Sequence, residues 1–80
     1  MKLKDFLKVV NPVDFGKTVI WGDDNLNPLW EGDGVFDIPW WAVDLKIGNK
    51  EKDADEPISM YPYVNEYGAN RISLVINVIE

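Results

Sequence analysis

The chain has 80 residues, enough for a single small domain over residues 1–80 with a modest core. It has no cysteine and no histidine, which excludes disulfide scaffolds, zinc fingers, thiol catalysis and histidine-based acid–base chemistry. Fourteen acidic residues against eight basic ones give a net charge of −6, which argues against direct binding of a nucleic-acid backbone.

The N-terminal segment has the spacing of an amphipathic helix. Its apolar positions are Leu3, Phe6, Leu7 and Val10. Asn11 and Pro12 end this helix, which is too short to be stable alone and is expected to pack on the rest of the domain. Asp5 and Lys8 interrupt the apolar run, so it lacks the pattern of a signal peptide and the length of a membrane span. We therefore expect a cytoplasmic protein with no membrane partner.

A β-hairpin is predicted next. Residues 17–21 are β-branched and aromatic, residues 22–28 are dense in turn formers, and residues 29–31 resume an extended run. If Gly22 pairs with Leu29, Trp21 lies opposite Trp30, as an aromatic cross-strand pair. The following segment predicts a helical turn near residues 37–42, with Asp37 as its cap and Pro39 in its first turn.

The second half of the chain predicts three more extended segments. Residues 43–47 alternate between apolar and charged side chains, and a charged loop over 48–57 follows. Residues 58–64 form a strand that Pro62 restricts to an edge or a bulge, and residues 65–70 form a turn. Residues 71–79 are apolar on both faces, which is typical of a central strand.

These elements predict an α+β fold, with the N-terminal helix packed on an antiparallel sheet of four or five strands. The antiparallel pairing is expected because the connections are short, whereas a parallel crossover needs a dozen residues or more.

The motifs that carry chemistry all fail at diagnostic positions. Asp23 to Asn27 resembles the start of a calcium loop, but Pro28 and Gly34 occupy the positions that need glycine and a bidentate glutamate. Gly32 and Gly34 begin a dinucleotide-binding pattern that ends at Asp37, where an acid would repel a pyrophosphate. No hydroxyl has a histidine to activate it. We therefore expect no catalytic residue, no cofactor, no metal and no enzymatic activity.

Aromatic and acidic residues are the remaining functional candidates. Because adjacent helical residues point about 100° apart, one tryptophan of the pair 40–41 is expected in the core and the other nearer the surface. The candidate interaction surface comprises Trp30, Trp40, Trp41, Tyr61, Tyr63, Asp23, Asp24 and Asp33. It favours a non-enzymatic protein-interaction or accessory domain that binds another protein or a second copy of itself. Two alternatives stay open: an acidic nucleic-acid mimic that inhibits a basic nucleic-acid-binding protein, and a tryptophan-based binder of carbohydrate or small ligands.

The order of segments resembles that of small uncharacterised proteins of bacterial phages and conjugative elements. The resemblance lies in the N-terminal MKLKDFLKVV, the segment from Gly34 to Pro39 and the apolar C-terminal run up to Glu80. It implies a bacterial, cytoplasmic accessory role and assigns no catalytic residue.

Overall fold

The fold is a mixed sheet with two short helices, seen in a computed structural model that describes residues 1–11, 15–24, 26–49 and 56–80. In chain order the elements are α1 (Leu3–Leu7), β1 (Phe15–Trp21), β2 (Trp30–Gly32), α2 (Trp40–Val43), β3 (Lys46–Ile47), β4 (Ile58–Val64) and β5 (Asn70–Ile79). The predicted α+β class is confirmed, and so is a sheet of five strands.

Strand β5 is the centre of the sheet. It pairs with β1 on one side and with β4 and β3 on the other, while β2 extends the sheet beyond β1. The central position predicted for residues 71–79 is therefore confirmed. Its side chains alternate between the faces of the sheet: Leu74, Ile76 and Val78 are buried on one face, and the residues between them are half-buried on the other.

The predicted antiparallel sheet is wrong at one pairing. Strands β1 and β5 run parallel, with Thr18 opposite Leu74 and Ile20 opposite Ile76. A short connection favours antiparallel pairing only between strands that follow each other in the chain. Strands β1 and β5 are separated by residues 22–69. That length is ample for a crossover, so parallel pairing is allowed.

Strands β3 and β4 lie along the same edge of β5. The amide of Asn77 donates to the Pro57 carbonyl at 2.8 Å, and the Asn77 carbonyl accepts from the Gly48 amide at 3.0 Å. Both backbone groups of one strand residue point to the same side, so the two partners share that side. Pro57 has no N–H to donate, and Gly48 supplies the missing donor. Most of the charged loop predicted over 48–57 lies outside the described residues.

The predicted edge position of Pro62 is confirmed. Within the described chain, β4 pairs only with β5. Because Pro57 is hydrogen-bonded to β5, the alternate residues 59, 61 and 63 also direct their backbone groups at β5. The backbone N–H and C=O groups of residues 58, 60, 62 and 64 point away from β5. Pro62 therefore lacks an N–H that would not have been hydrogen-bonded to β5.

The N-terminal stripe is only partly helical. α1 ends at Leu7 instead of reaching Val10. Leu3 is fully buried, whereas Phe6, Leu7 and Val10 are partly buried against the core. The Leu3 amide donates to the Leu45 carbonyl at 2.9 Å, which ties the chain start to the segment before β3. The packing of α1 on the sheet itself stays a prediction.

Two predicted details around α2 are wrong. The cap of α2 is Pro39 instead of Asp37, and the helix begins at Trp40. The strand predicted over 43–47 shrinks to Lys46–Ile47, because Val43 still belongs to α2 and the Leu45 amide donates to the Ala42 carbonyl at 3.1 Å. The apolar residues 43, 45 and 47 nevertheless all pack against the core, so their burial follows the sequence pattern although their secondary structure does not.

The sheet has two unlike faces. One face, termed the covered face, carries the alternate residues of β5 that are buried together with residues from both helices and the segment between β2 and α2. This buried cluster comprises Leu3, Phe15, Ile20, Val35, Ile38, Ala42, Leu74, Ile76 and Val78. The opposite face, termed the open face, carries Val19 and Trp21 of β1 and Val75 and Asn77 of β5, all half-buried and none part of the cluster.

Thr18 contributes a polar atom to the covered face. Its side chain is fully buried, and its Oγ1 finds no hydrogen-bond partner among the described residues. We expect Thr18→Val to raise the free energy of unfolding by about 1–2 kcal/mol, because valine keeps the shape and removes a desolvated hydroxyl. Urea unfolding measures the change. Thr18→Ser is the control: it keeps the hydroxyl, loses a methyl group and should destabilise. A Thr18→Val protein no more stable than the original would contradict a buried Thr18 hydroxyl that lacks a hydrogen-bond partner.

An ion pair joins α1 to the end of α2. Lys4 Nζ lies 3.0 Å from Asp44 Oδ1 at the surface. Hydrogen bonding to Lys4, and then its charge, lowers the pKa of Asp44 below 3.8. The same two effects from Asp44 raise the pKa of Lys4 above 10.5. The pair therefore stabilises the fold between these limits, and its contribution is lost as the pH falls through the lowered pKa of Asp44 or rises through the raised pKa of Lys4.

We expect Asp44→Ala to be less stable than the original at neutral pH, with the difference vanishing on acidification below pH 3.8. Unfolding curves recorded from acid to neutral pH measure it, and added salt should shrink it. Lys4→Met is the matched control and should show the same pH dependence. A deficit that persists in strong acid would mean that Asp44 acts through something other than its charge.

Candidate functional site

A groove with a volume of about 340 Å³ crosses the open face where β1 ends and β4 begins. It is lined by Trp21, Gly22, Asp24, Glu56, Ser59, Tyr61, Val75 and Asn77. These residues come from three separate parts of the chain, and the pairing of β1 and β4 with β5 brings them together.

Two aromatic side chains stand on opposite sides of the groove. Trp21 lies opposite Asn77, and Tyr61 lies opposite Ser73, so the two rings flank Val75 on a diagonal. Neighbouring strands are spaced about 4.8 Å apart, which puts the backbones of β1 and β4 about 10 Å from each other. The floor between the two aromatic walls is formed by Val75 and Asn77 of β5 and Ser59 of β4, and is therefore part apolar and part polar.

Carboxylates gather at the end of the groove nearest the C-terminus of β5. Asp24 and Glu56 line the groove directly, and Glu80 lies beside it, where its Oε2 accepts from the Asp23 amide at 3.0 Å. Asp24 Oδ1 accepts from the Leu26 amide at 2.8 Å, which holds the turn after β1. Among the described residues that line the groove there is no lysine or arginine.

Two basic residues of the open face, Lys17 and Arg71, lie toward the start of β5. Lys17 Nζ is 3.3 Å from Glu31 Oε1, and Arg71 Nη2 donates to the Phe15 carbonyl at 3.2 Å. Lys46 is on β3 opposite Ile79 and outside the groove. The described lining of the groove is therefore acidic, Lys46 lies beyond it at the same end of β5, and Lys17 and Arg71 lie at the opposite end.

Tyr63 and Arg71 fill the basic end. A Cβ at Gly16 would overlap the Tyr63 hydroxyl and lie 3.0 Å from Arg71 Nε. Gly16 thus lets the Tyr63 side chain cross β5 and reach β1, at the point where the pairing register shifts between Phe15 and Lys17.

The structure brings only some of the predicted site residues together. Tyr61 and Asp24 line the groove, and Tyr63 lies two residues further along the same face of β4. Asp33 follows β2, at the opposite end of the β1–β2 pair from Asp23 and Asp24. These acids therefore do not form one continuous patch on the hairpin.

The predicted pairing of Trp21 with Trp30 is wrong by one residue. Trp30 lies opposite Ile20 and packs against the core on the covered face. Because side chains alternate along a strand, the slip sends Trp21 to the open face. The sequence prediction missed Trp21 as a site candidate, although alternation along β1 places it on the same face as Val19. It also missed the lining residues Gly22, Glu56, Ser59, Val75 and Asn77.

The prediction that one tryptophan of α2 is core is also wrong. Trp40 is 81% exposed and Trp41 is 41% exposed. α2 is a single turn of four residues, and the residue that it buries in the core is the small Ala42. Neither tryptophan is buried. Phe36, earlier in the same segment, is exposed as well.

The described residues contain no group of three or more acidic side chains placed to hold a metal ion. Asn25, in the acidic turn, lies outside the described residues, so the absence of calcium binding stays a prediction. No described helix has the length and apolar character needed to cross a bilayer.

Comparison with known proteins adds no relative. The chain matches no protein-family model. Searches of curated proteins and of solved structures find no significant similarity. The resemblance to phage and conjugative-element proteins therefore stays a prediction, and functional argument rests on the groove.

Proposed function

We propose that this chain is a non-enzymatic protein-interaction domain in an accessory role, and that it binds its partner through the groove on the open face. The observation that carries the proposal is the contrast between the two faces. The covered face is buried by the chain's own residues, while the open face keeps Trp21, Tyr61 and Val75 around a concavity. Aromatic side chains are enriched at protein interfaces because they bury large areas with few rotatable bonds.

The chemistry of the lining residues supports binding over catalysis. The groove offers one aliphatic hydroxyl, on Ser59, and neither a histidine nor a cysteine exists in the chain to activate it. Its carboxylates lie at an exposed rim, whereas acid–base catalysis by paired carboxylates needs a pocket that raises one pKa.

The test is a comparison of captured proteins from the native host. The double variant Trp21→Ala/Tyr61→Ala removes both walls of the groove, and Trp40→Ala is the matched control because it removes an exposed tryptophan from α2. We expect a stoichiometric partner that binds the original and the Trp40→Ala protein and loses at least about tenfold in affinity for the double variant. A partner retained by the double variant and lost by Trp40→Ala would move the binding surface to α2.

Two further measurements separate the alternatives. Sedimentation of the purified chain over about 10–100 μM identifies a second copy as the partner if the mass rises with concentration. A partner released by moderate salt but insensitive to Trp21→Ala/Tyr61→Ala would favour the acidic nucleic-acid mimic. Binding to a glycan array that the double variant abolishes would favour a carbohydrate ligand.

A further inference from the structure

We infer that the groove receives a lysine or arginine side chain presented by the partner protein. This inference rests on the proposed function and names the chemistry of its ligand. Three features of the groove support it: its aromatic walls, its acidic end and its size.

The aromatic walls suit a cation. A lysine ammonium or arginine guanidinium is attracted to the face of a tryptophan or tyrosine ring, with arginine also able to stack on the ring. Trp21 and Tyr61 flank the groove, and Val75 between them provides an apolar surface for the aliphatic stem of such a side chain. One such side chain can therefore contact Val75 with its stem and the aromatic walls with its cationic end.

Charge complementarity gives the direction of insertion. Asp24 and Glu56 line the groove and Glu80 lies next to Gly22, so negative charge lies ahead of a side chain that enters along the aromatic walls. Lys17 and Arg71, the basic residues toward the start of β5, already contact Glu31 and the Phe15 carbonyl. An anionic ligand on the same path would be repelled by these carboxylates.

The size of the groove and the neighbouring edge favour a side chain over an added strand. A volume of about 340 Å³ is at the lower end of the range for small-ligand sites and accommodates one or two side chains. On the outward edge of β4, Pro62 removes a backbone donor that an added strand would need. The contact is therefore expected to come from an inserted side chain and not from strand pairing.

The test is a titration followed by NMR on the full chain. The probes are three capped tripeptides, acetyl-Gly-Arg-Gly-amide, acetyl-Gly-Lys-Gly-amide and acetyl-Gly-Gln-Gly-amide. The indole N–H signal of Trp21, assigned with Trp21→Phe, reports binding, and the other three tryptophans are internal references. We expect the two cationic peptides to shift this signal with a Kd in the millimolar range. Their Kd should be at least about fivefold lower than that of the glutamine peptide.

The variant arm uses Asp24→Asn/Glu56→Gln, which keeps an oxygen to accept from the Leu26 amide and so preserves the turn. We expect a loss of about fivefold or more in affinity for the arginine peptide. Asp33→Asn/Glu66→Gln, which changes the same charge away from the groove, should leave the affinity unchanged.

Failure of this inference is distinct from failure of the proposed function. No shift with any peptide, or equal affinity for the glutamine peptide, overturns the cationic ligand. If the host partner then still needs Trp21 and Tyr61 but tolerates Asp24→Asn/Glu56→Gln, the interaction domain stands and its ligand is apolar. A neutral methyl glycoside that shifts Trp21 where the peptides do not would overturn both in favour of a carbohydrate binder.

Discussion

Leu74→Ala is expected to lower the free energy of unfolding by about 2–5 kcal/mol, the cost of deleting a buried leucine and leaving a cavity. Leu74 is fully buried on β5, with Thr18 of β1 on one side and Met60 of β4 on the other. Total stability for a domain of this size is at the low end of about 5–15 kcal/mol, so the variant should be largely unfolded at modest urea concentrations. Urea denaturation followed by tryptophan fluorescence measures the loss.

Met60→Ala is the matched control for that variant. Met60 is the cross-strand neighbour of Leu74 on the same side of the sheet, yet it is 51% exposed because β4 is an edge strand. Its truncation should cost less than about 1 kcal/mol. Equal losses in the two variants would mean that Met60 is covered in solution. Cross-linking mass spectrometry would then identify the cover.

Strands β4 and β5 were predictable because their signals are local. β-Branched and aromatic residues fill both runs, and the turn between them is held by Asn65, whose side chain accepts from the Tyr67 and Ala69 amides at 2.9 Å each. Gly68 adopts the positive φ of 80° that this turn needs. The observed bounds of Ile58–Val64 equal the predicted ones, and β5 begins one residue early.

The groove was not predictable because it depends on pairings between distant parts of the chain. Trp21, Glu56 and Val75 become neighbours only through the parallel pairing of β1 with β5, and nothing local to any of the three specifies that pairing. The hairpin register added a second difficulty, since a slip of one residue exchanges the two faces of a strand. Tyr61 and Asp24 were found because composition alone marks exposed aromatics and acidic turns, without any knowledge of their neighbours.

Leu3→Ala tests how the N-terminal segment packs against the core. The stripe of residues 3, 6, 7 and 10 predicts that all four side chains pack, with a cost of about 3–5 kcal/mol for Phe6→Ala. In the structure Leu3 is fully buried, while Phe6 is only partly buried. We therefore expect Leu3→Ala to cost about 2–5 kcal/mol and Phe6→Ala to cost less than that, about 1–3 kcal/mol, because part of its ring already contacts water.

The order of these two losses distinguishes how the N-terminal segment docks. The backbone hydrogen bond from Leu3 to Leu45 fixes the position of Leu3 independently of the helix. The position of Phe6 depends on the short helix alone. Val9→Ala is the control, since Val9 is 76% exposed and its truncation should change stability by less than about 0.5 kcal/mol. A larger loss for Phe6→Ala than for Leu3→Ala would mean that α1 extends to Val10 in solution and packs its whole stripe on the sheet. Hydrogen exchange at the amides of residues 7–10 would detect that longer helix directly, because each helical amide is protected by its hydrogen bond to the carbonyl four residues earlier.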